Sequence, residues 1–344
     1  MIERLSHWIH RHLLFCIAAA YVAARTSPTA GLWLRNVRAF EFEAGGGRIE
    51  ASGPALLLAL LLFNAGLRAR PDRMREIARR PSVVLAGLLA NMMIPLLYLA
   101  ALAPALVAWH DPVEASSLVV GLALVAAMPI AGSSTGWAQS VGADMSLSLG
   151  LVVGSTLLSP IATPALLRFA GLAFPGEAAN DLLALAGRGT GAFLAAWVLV
   201  PSLLGMAARR LASTTLVERL ERALKSAATL ALLALCYSNA AACLPQALAD
   251  PDWDFLGAAL ALSTGLCILT FFGGYAIGRL LRAGRPQRTA LMFGMGMNNN
   301  GTGLVLASTI LASEPLVLLP IIVYNLVQHV VAGCVGRLCA ADAA

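Results

Sequence analysis

Charge is in short supply in this chain. Only 12% of its 344 residues are Asp, Glu, Lys or Arg, about half the share carried by an ordinary soluble domain, while 59% are hydrophobic and the mean hydropathy is +0.78. Too few polar side chains are available to face water on all sides, so a soluble globular fold is excluded. Paired cysteines are missing as well. Cys16, Cys236, Cys243, Cys267, Cys334 and Cys339 fall within or at the ends of apolar runs, with no C-x-x-C spacing. They read as small core residues, not as a disulfide framework or a zinc ribbon. No G-x-x-x-x-G-K-[ST] loop is present, which removes a nucleotide site of that kind.

What the chain has is apolar length. Runs recur throughout, each near the roughly 20 residues that a helix needs to cross about 30 Å of hydrocarbon. Placing boundaries at Arg, Pro and Gly clusters predicts ten crossings, over 8–24, 53–67, 82–108, 115–138, 145–170, 184–208, 226–246, 254–281, 287–312 and 315–338. The run at 13–24 lacks a convincing cleavage site after it and reads as a first helix, not a removable signal. No separate soluble domain is expected: residues 1–344 form one transmembrane domain, and an all-α membrane fold follows.

The net charge of +6 is distributed unevenly. Arg68, Arg70, Arg73, Arg75, Arg79 and Arg80 fill one loop; Arg209, Arg210, Arg219, Arg222 and Lys225 a second; Arg279, Arg282, Arg285 and Arg288 a third. The loops at 109–114 and 245–253 carry no Lys or Arg. Such alternation orients a membrane protein with its basic loops in the cytoplasm. With ten crossings, 18 of the 24 basic residues then lie inside. The expected topology in the inner (plasma) membrane is N-in and C-in, the arginines contact anionic lipid, and no nucleic-acid partner is implied. Residues 25–52 would lie outside as an interfacial or re-entrant piece.

Two of the predicted crossings break. The fourth runs smoothly to Met128 and then meets Pro129 and the cluster Gly132–Gly136, "GSSTG". Its first part, about 14 residues or about 21 Å of helix, is too short to span. The ninth is interrupted by Gly294, Gly296, the amides Asn298, Asn299 and Asn300, then Gly301 and Gly303. Broken helices are tolerated at membrane depth only where they are buried in protein or line a wet cavity. Matching breaks in two halves point to a secondary transporter's binding site. Amide and carbonyl oxygens there suit a hard cation, while N–H groups and helix N-termini suit an anion. Small and polar residues also glue helices together, and a single such cluster would read equally well as packing.

At these breaks, "MPIAGSSTGWAQSVGADMSLSLGLVVGSTLLSPIATPAL" (128–166), "GMNNNGTGLVLAS" (296–308) and "QHVVAG" (328–333), the sequence resembles the bile acid:sodium symporter family. The resemblance implies ten helices arranged as two inverted five-helix repeats, here 8–170 and 184–338. It also implies panel and core domains, with helices four and nine broken and crossing, and sodium-coupled uptake of a small organic anion by alternating access. The family's sodium-coordinating Ser-Asn pair falls on Ser134 and Thr135, and its Ser on the next helix on Ser148. Its Gly-Met-Gln-Asn falls on Gly296, Met297, Asn298 and Asn299. The implied cation ligands are Ser134, Thr135, Ser148, Met297 and Asn298, and the substrate contacts are Ser133, Asn299, Asn300 and His329. The family's bridging Glu falls on Gly294 and a ligating Thr on Val152, so the implied sodium set lacks its carboxylate. No organic cofactor is implied; Na+ is the implied coupling ion. A sodium-independent facilitator or a proton-coupled carrier of the same fold is the alternative reading.

Asp144 precedes the fifth crossing, where it reads as a helix cap. Asn91 lies near a position where the family places an ion-ligating Gln. "GSSTG" also fits G-x-S-x-G, the nucleophile turn of serine hydrolases, with His329 as an imaginable base. That pattern normally follows a strand, and here it interrupts an apolar helix, so an enzyme is not the expectation.

Overall fold

The computed structural model describes residues 13–44, 47–69, 81–187 and 189–341. The chain is mostly helical. Its elements are α1 (Leu13–Thr26), α2 (Thr29–Asn36), an antiparallel hairpin of β1 (Arg38–Ala44) and β2 (Gly47–Ser52), α3 (Gly53–Arg68), α4 (Pro81–Val107), α5 (Pro112–Ala127), α6 (Ser133–Ser140), α7 (Met145–Leu172), α8 (Gly176–Gly187), α9 (Thr190–Leu211), α10 (Thr214–Ala247), α11 (Trp253–Leu280), α12 (Arg285–Gly296), α13 (Asn300–Ile310) and α14 (Leu318–Ala341). A π-helical turn over Ala195–Leu199 interrupts α9. Among the described residues, α4, α7, α9, α10, α11 and the stretch Pro315–Cys339 that contains α14 are long and apolar enough to cross a bilayer. Leu14–Thr26, Gly53–Arg68 and Pro112–Ala127 are apolar but shorter.

The structure adds detail to one region and differs from expectation in two. Within residues 25–52, expected as an interfacial or re-entrant piece, lie α2 and the hairpin, whose register pairs Phe42 with Ile49 and Glu43 with Arg48. A helix, α8, stands where the sequence suggested a connection between the fifth and sixth crossings. The basic run from 209 to 225 is no loop either: Arg209 and Arg210 end α9, and Arg219 lies on α10, whose helix begins at Thr214, capped by Ser213. Arg209 reaches both the Leu67 carbonyl and the Glu221 carboxylate, tying α3 to α10. Arg70, Arg73, Arg75, Arg79 and Arg80 lie outside the described residues, as do residues 8–12.

The interior is organised around α5. Every residue from Ser116 to Ala131 is buried, as expected of a helix that is apolar on all sides and surrounded by protein. Longer helices form the exterior: on α7, Ile161 is 78% exposed and Leu172 79%, an apolar surface suited to hydrocarbon. Where α3 crosses α9 the backbones nearly touch. A Cβ at Gly66 would stand 2.0 Å from the Ser202 carbonyl oxygen, and one at Gly205 would stand 2.1 Å from that of Phe63. Glycine is required at both points.

Candidate functional site

The first break has a local cause. Pro129 lacks an N–H, and its ring drives the preceding Met128 into extended geometry, φ −75° and ψ 148°, which ends α5. The second break follows Gly296, where Met297 turns extended before Asn299 caps α13 by accepting the Thr302 N–H.

The two breaks meet. Ile130 and Asn298 form an isolated antiparallel bridge. The Asn299 N–H donates to the Pro129 carbonyl at 2.8 Å, and the Ala131 N–H to the Met297 carbonyl at 2.9 Å. Side chains satisfy the outward N–H groups of the pair: Ile130 donates to Ser155 Oγ at 3.0 Å and Asn298 to Gln328 Oε1 at 3.1 Å. The freed C-terminal carbonyls of α5 are met as well, Val125 by Asn298 Nδ2 at 2.9 Å and Ala127 by Thr163 Oγ1 at 2.6 Å. Each unwound segment thus supplies the backbone partners that the other needs, which is the condition for irregular chain at buried depth.

A group of side-chain atoms remains unsatisfied. Ser134 Oγ, Ser148 Oγ, Asn298 Oδ1 and Asn91 Oδ1 are buried and lack a hydrogen-bond partner among the described residues, as do both amide atoms of Asn300 and Thr302 Oγ1. Such groups are uncommon in folded interiors and call for a specific explanation. Three of them, Ser134, Ser148 and Asn298, belong to the expected cation set; Ser134 lies on α6, Ser148 on α7 and Asn298 just after α12, and these three helices pack against one another. Thr135 is engaged, its hydroxyl donating to the Gly132 carbonyl at 2.7 Å, and Met297 contributes the carbonyl already described. Of the expected substrate contacts, Asn300 is buried at the first turn of α13, Asn299 is half-buried as its cap, and Ser133 is exposed at the start of α6.

Gly294 is packed, not hollow. A Cβ there would meet Leu151 Cδ1 at 2.9 Å; Leu151 is fully buried and lies beside Val152 on α7. Apolar side chain therefore occupies the direction in which any side chain at 294 would project. His329 is buried, and its Nδ1 accepts from the Trp137 indole N–H at 3.4 Å, while Trp137 stacks on Phe293 with centroids 6.5 Å apart. Ser134 has no hydrogen bond to His329, so the Ser–His pair of a hydrolase is not assembled. Asp144 is the N-cap of α7, accepting from the Ser146 and Leu147 N–H groups.

Sequence reasoning missed Gln328, Ser155 and Thr163, which hold the breaks together. Gln328 was legible only as the residue beside His329. It continues a buried polar chain, donating to Asn325 Oδ1 at 3.3 Å, while Asn325 donates to the Tyr21 hydroxyl of α1 at 3.0 Å. The cavity directly behind the first break, lined by Asn91, Met128, Pro129, Ser155, Ser159 and Thr163 among others, is small, about 10 Å³, room for about one water molecule. A larger cavity of about 290 Å³ lies at the start of α5, between Ser116, Ser117, Glu177, Asp181 and Glu314. It is remote from the breaks, and its carboxylates suit it poorly to an anion.

Comparison with known proteins agrees with this architecture. Residues 55–246 match the model of the Sodium Bile acid symporter family, a span that includes the first break. The chain belongs to this family. Similar proteins of Bacillus subtilis (strain 168) extend the likeness across most of the length. The uncharacterized protein YbaS is 25% identical over 283 residues, 82% of this chain and 87% of its own. The uncharacterized sodium-dependent transporter YocS is 25% identical over 257 residues, 74% of this chain and 73% of its own. Family membership and the apolar helices together make this a multi-pass membrane protein of a transporter family.

Proposed function

We propose that this chain is a secondary active transporter that takes up a small organic anion, such as a 2-keto or 2-hydroxy carboxylate or a sterol-like acid, by alternating access. The observation that carries the reading is the bridge between Ile130 and Asn298 with unpartnered oxygens around it. In this reading α5–α6 and α12–α13 are the fourth and ninth of ten crossings in two inverted repeats, with N and C termini in the cytoplasm. The core bearing them rocks against a panel, exposing the bridge to each side in turn.

One sodium ion is held by neutral oxygens of Ser134, Ser148 and Asn298, with backbone carbonyls completing the shell. The substrate carboxylate lies near the N-terminus of α13, where Asn300 offers a free amide and the helix end favours negative charge. The ion drives uptake through its different affinity for the outward and inward states. A second reading, facilitation without sodium, is favoured by one observation: Leu151 packs against Gly294 where a charge-compensating carboxylate would otherwise project.

Labelled carboxylate uptake into proteoliposomes, with sodium, potassium and pH gradients imposed separately, tests both readings. Concentrative uptake that needs an inward sodium gradient supports the first. Equilibration that is indifferent to every gradient supports the second, and the absence of flux and of carboxylate-induced thermal stabilisation for all tested anions overturns the substrate assignment.

A further inference from the structure

At the far end of α5 from the break, about 24 Å away for a 16-residue helix, three side chains with metal-ligating atoms converge. His110 precedes α5, Glu114 lies in its first turn, and Asp254 lies in the first turn of α11. His110 Nε2 stands 3.3 Å from Asp254 Oδ2 and 3.9 Å from Glu114 Oε2. One ligand atom from each of the three lies within 4.8 Å of the others. Two ligands bound tetrahedrally to Zn2+ at about 2.0–2.1 Å stand about 3.3 Å apart. The His110–Asp254 spacing already has that value, and small rotations of these two exposed side chains close the rest.

A separate observation calls for a cation here. The Glu114 side chain is only 8% exposed, yet among the described residues no Lys or Arg pairs with it or with Asp254. Its Oε2 instead accepts from the neutral Trp109 indole at 2.7 Å, which holds the carboxylate in place. The loops at 109–114 and 245–253 contain no Lys or Arg while adding Asp111, Asp250 and Asp252. Asp111 and Asp252 are committed to capping α5 and α11. A buried carboxylate beside a second acid, with only an imidazole in ion-pair reach, is stabilised by a cation held between the three groups.

We propose that His110, Glu114 and Asp254 form a binding site for a divalent transition-metal ion of the Zn2+ type, which ties the start of α5 to the start of α11. Three protein ligands leave a fourth position to water. The site uses none of the residues at the breaks and stands independently of the transport reading.

Zn2+ binding to the purified, untagged protein in detergent tests the proposal, measured by isothermal titration and by thermal unfolding. Because His7, His10 and His12 also offer imidazoles, the parent for all measurements carries alanine at those three positions. It is expected to bind one Zn2+ per chain and to unfold at a higher temperature with Zn2+, reversibly on chelation. His110→Ala and Asp254→Asn, both at exposed positions and so expected to fold, are each expected to weaken binding at least tenfold and to remove the thermal shift. Absence of Zn2+ binding by the parent, or binding unchanged in either variant, overturns the proposal.

Discussion

Asn298 Nδ2 donates to the Val125 carbonyl at 2.9 Å across a sequence separation of 173 residues. One side chain thus covers the frayed end of α5 while its own backbone bridges to Ile130 and its Oδ1 has no partner among the described residues. The amide group divides its capacity: the donor stabilises the fold, and the acceptor is unused among the described residues. Asn298→Asp keeps the shape but replaces the donor with a second acceptor, leaving the Val125 carbonyl without that donor. A loss of about 1–2 kcal/mol is expected, read as a melting temperature several degrees lower without added ligand, and Asn298→Ala should do the same. A variant as stable as the wild type would show that this hydrogen bond is not needed to hold the two breaks together.

Ser134 and Ser148 bury hydroxyls that have no partner among the described residues, so their removal carries an unusual sign. Ser134→Ala and Ser148→Ala are expected to melt at or slightly above the wild-type temperature, because each deletes an unsatisfied buried polar group. Both should lose any sodium-dependent rise in melting temperature. Thermal unfolding with sodium or potassium varied at constant ionic strength makes the comparison. Destabilised variants with an intact sodium response would contradict the ligand assignment.

Gly294 and Leu151 occupy one space between them. Gly294→Ala is expected to cost about 1–3 kcal/mol through overpacking, and Leu151→Ala about 2–5 kcal/mol through the cavity it leaves. The double variant should be less destabilised than the sum, with a coupling of about 0.5–3 kcal/mol, because the new methyl enters the vacated volume. Strict additivity in a thermal or denaturant series would place the two side-chain directions apart.

Gly66 and Gly205 permit the close crossing of α3 and α9. Gly66→Ala sets a methyl against the backbone oxygen of Ser202, and backbone cannot step aside as a flexible side chain can. Loss of most folded protein is expected, judged by monodispersity after detergent extraction. Gly136→Ala, where a Cβ meets nothing within 4 Å, serves as the control and should leave that property unchanged.

Some of this protein was legible before any coordinates. Pro129 announced the end of α5 because it lacks an N–H, disfavours helical geometry at the residue before it and is followed at once by the Gly132–Gly136 cluster; Pro95 and Pro160, set in continuous apolar runs, leave α4 and α7 unbroken. Asp144 announced the start of α7, and Asn299 with its neighbouring glycines marked the second break. The hairpin at 38–52 was missed although Phe40, Glu41, Phe42 and Glu43 alternate and a glycine run follows, because its strands are short and stand in a chain whose signal is dominated by long apolar helices. Helix α8 was hidden because its 12 residues are too short and too mixed to read as a crossing. Ser155, Thr163 and Gln328 looked like ordinary small and polar residues on apolar helices, because their role lies in which carbonyl or N–H they reach.

The amino-acid sequence by itself determined that the chain lives in a bilayer, where its long apolar helices run and where two of them stop, because apolar length, proline geometry and capping act over a few neighbouring residues. Only the tertiary structure decided that the two stops face each other through Ile130 and Asn298, that Leu151 packs into the space beside Gly294, and which buried oxygens are left over. Those outcomes depend on which distant groups come within hydrogen-bonding or van der Waals reach, and spacing along the chain does not encode that.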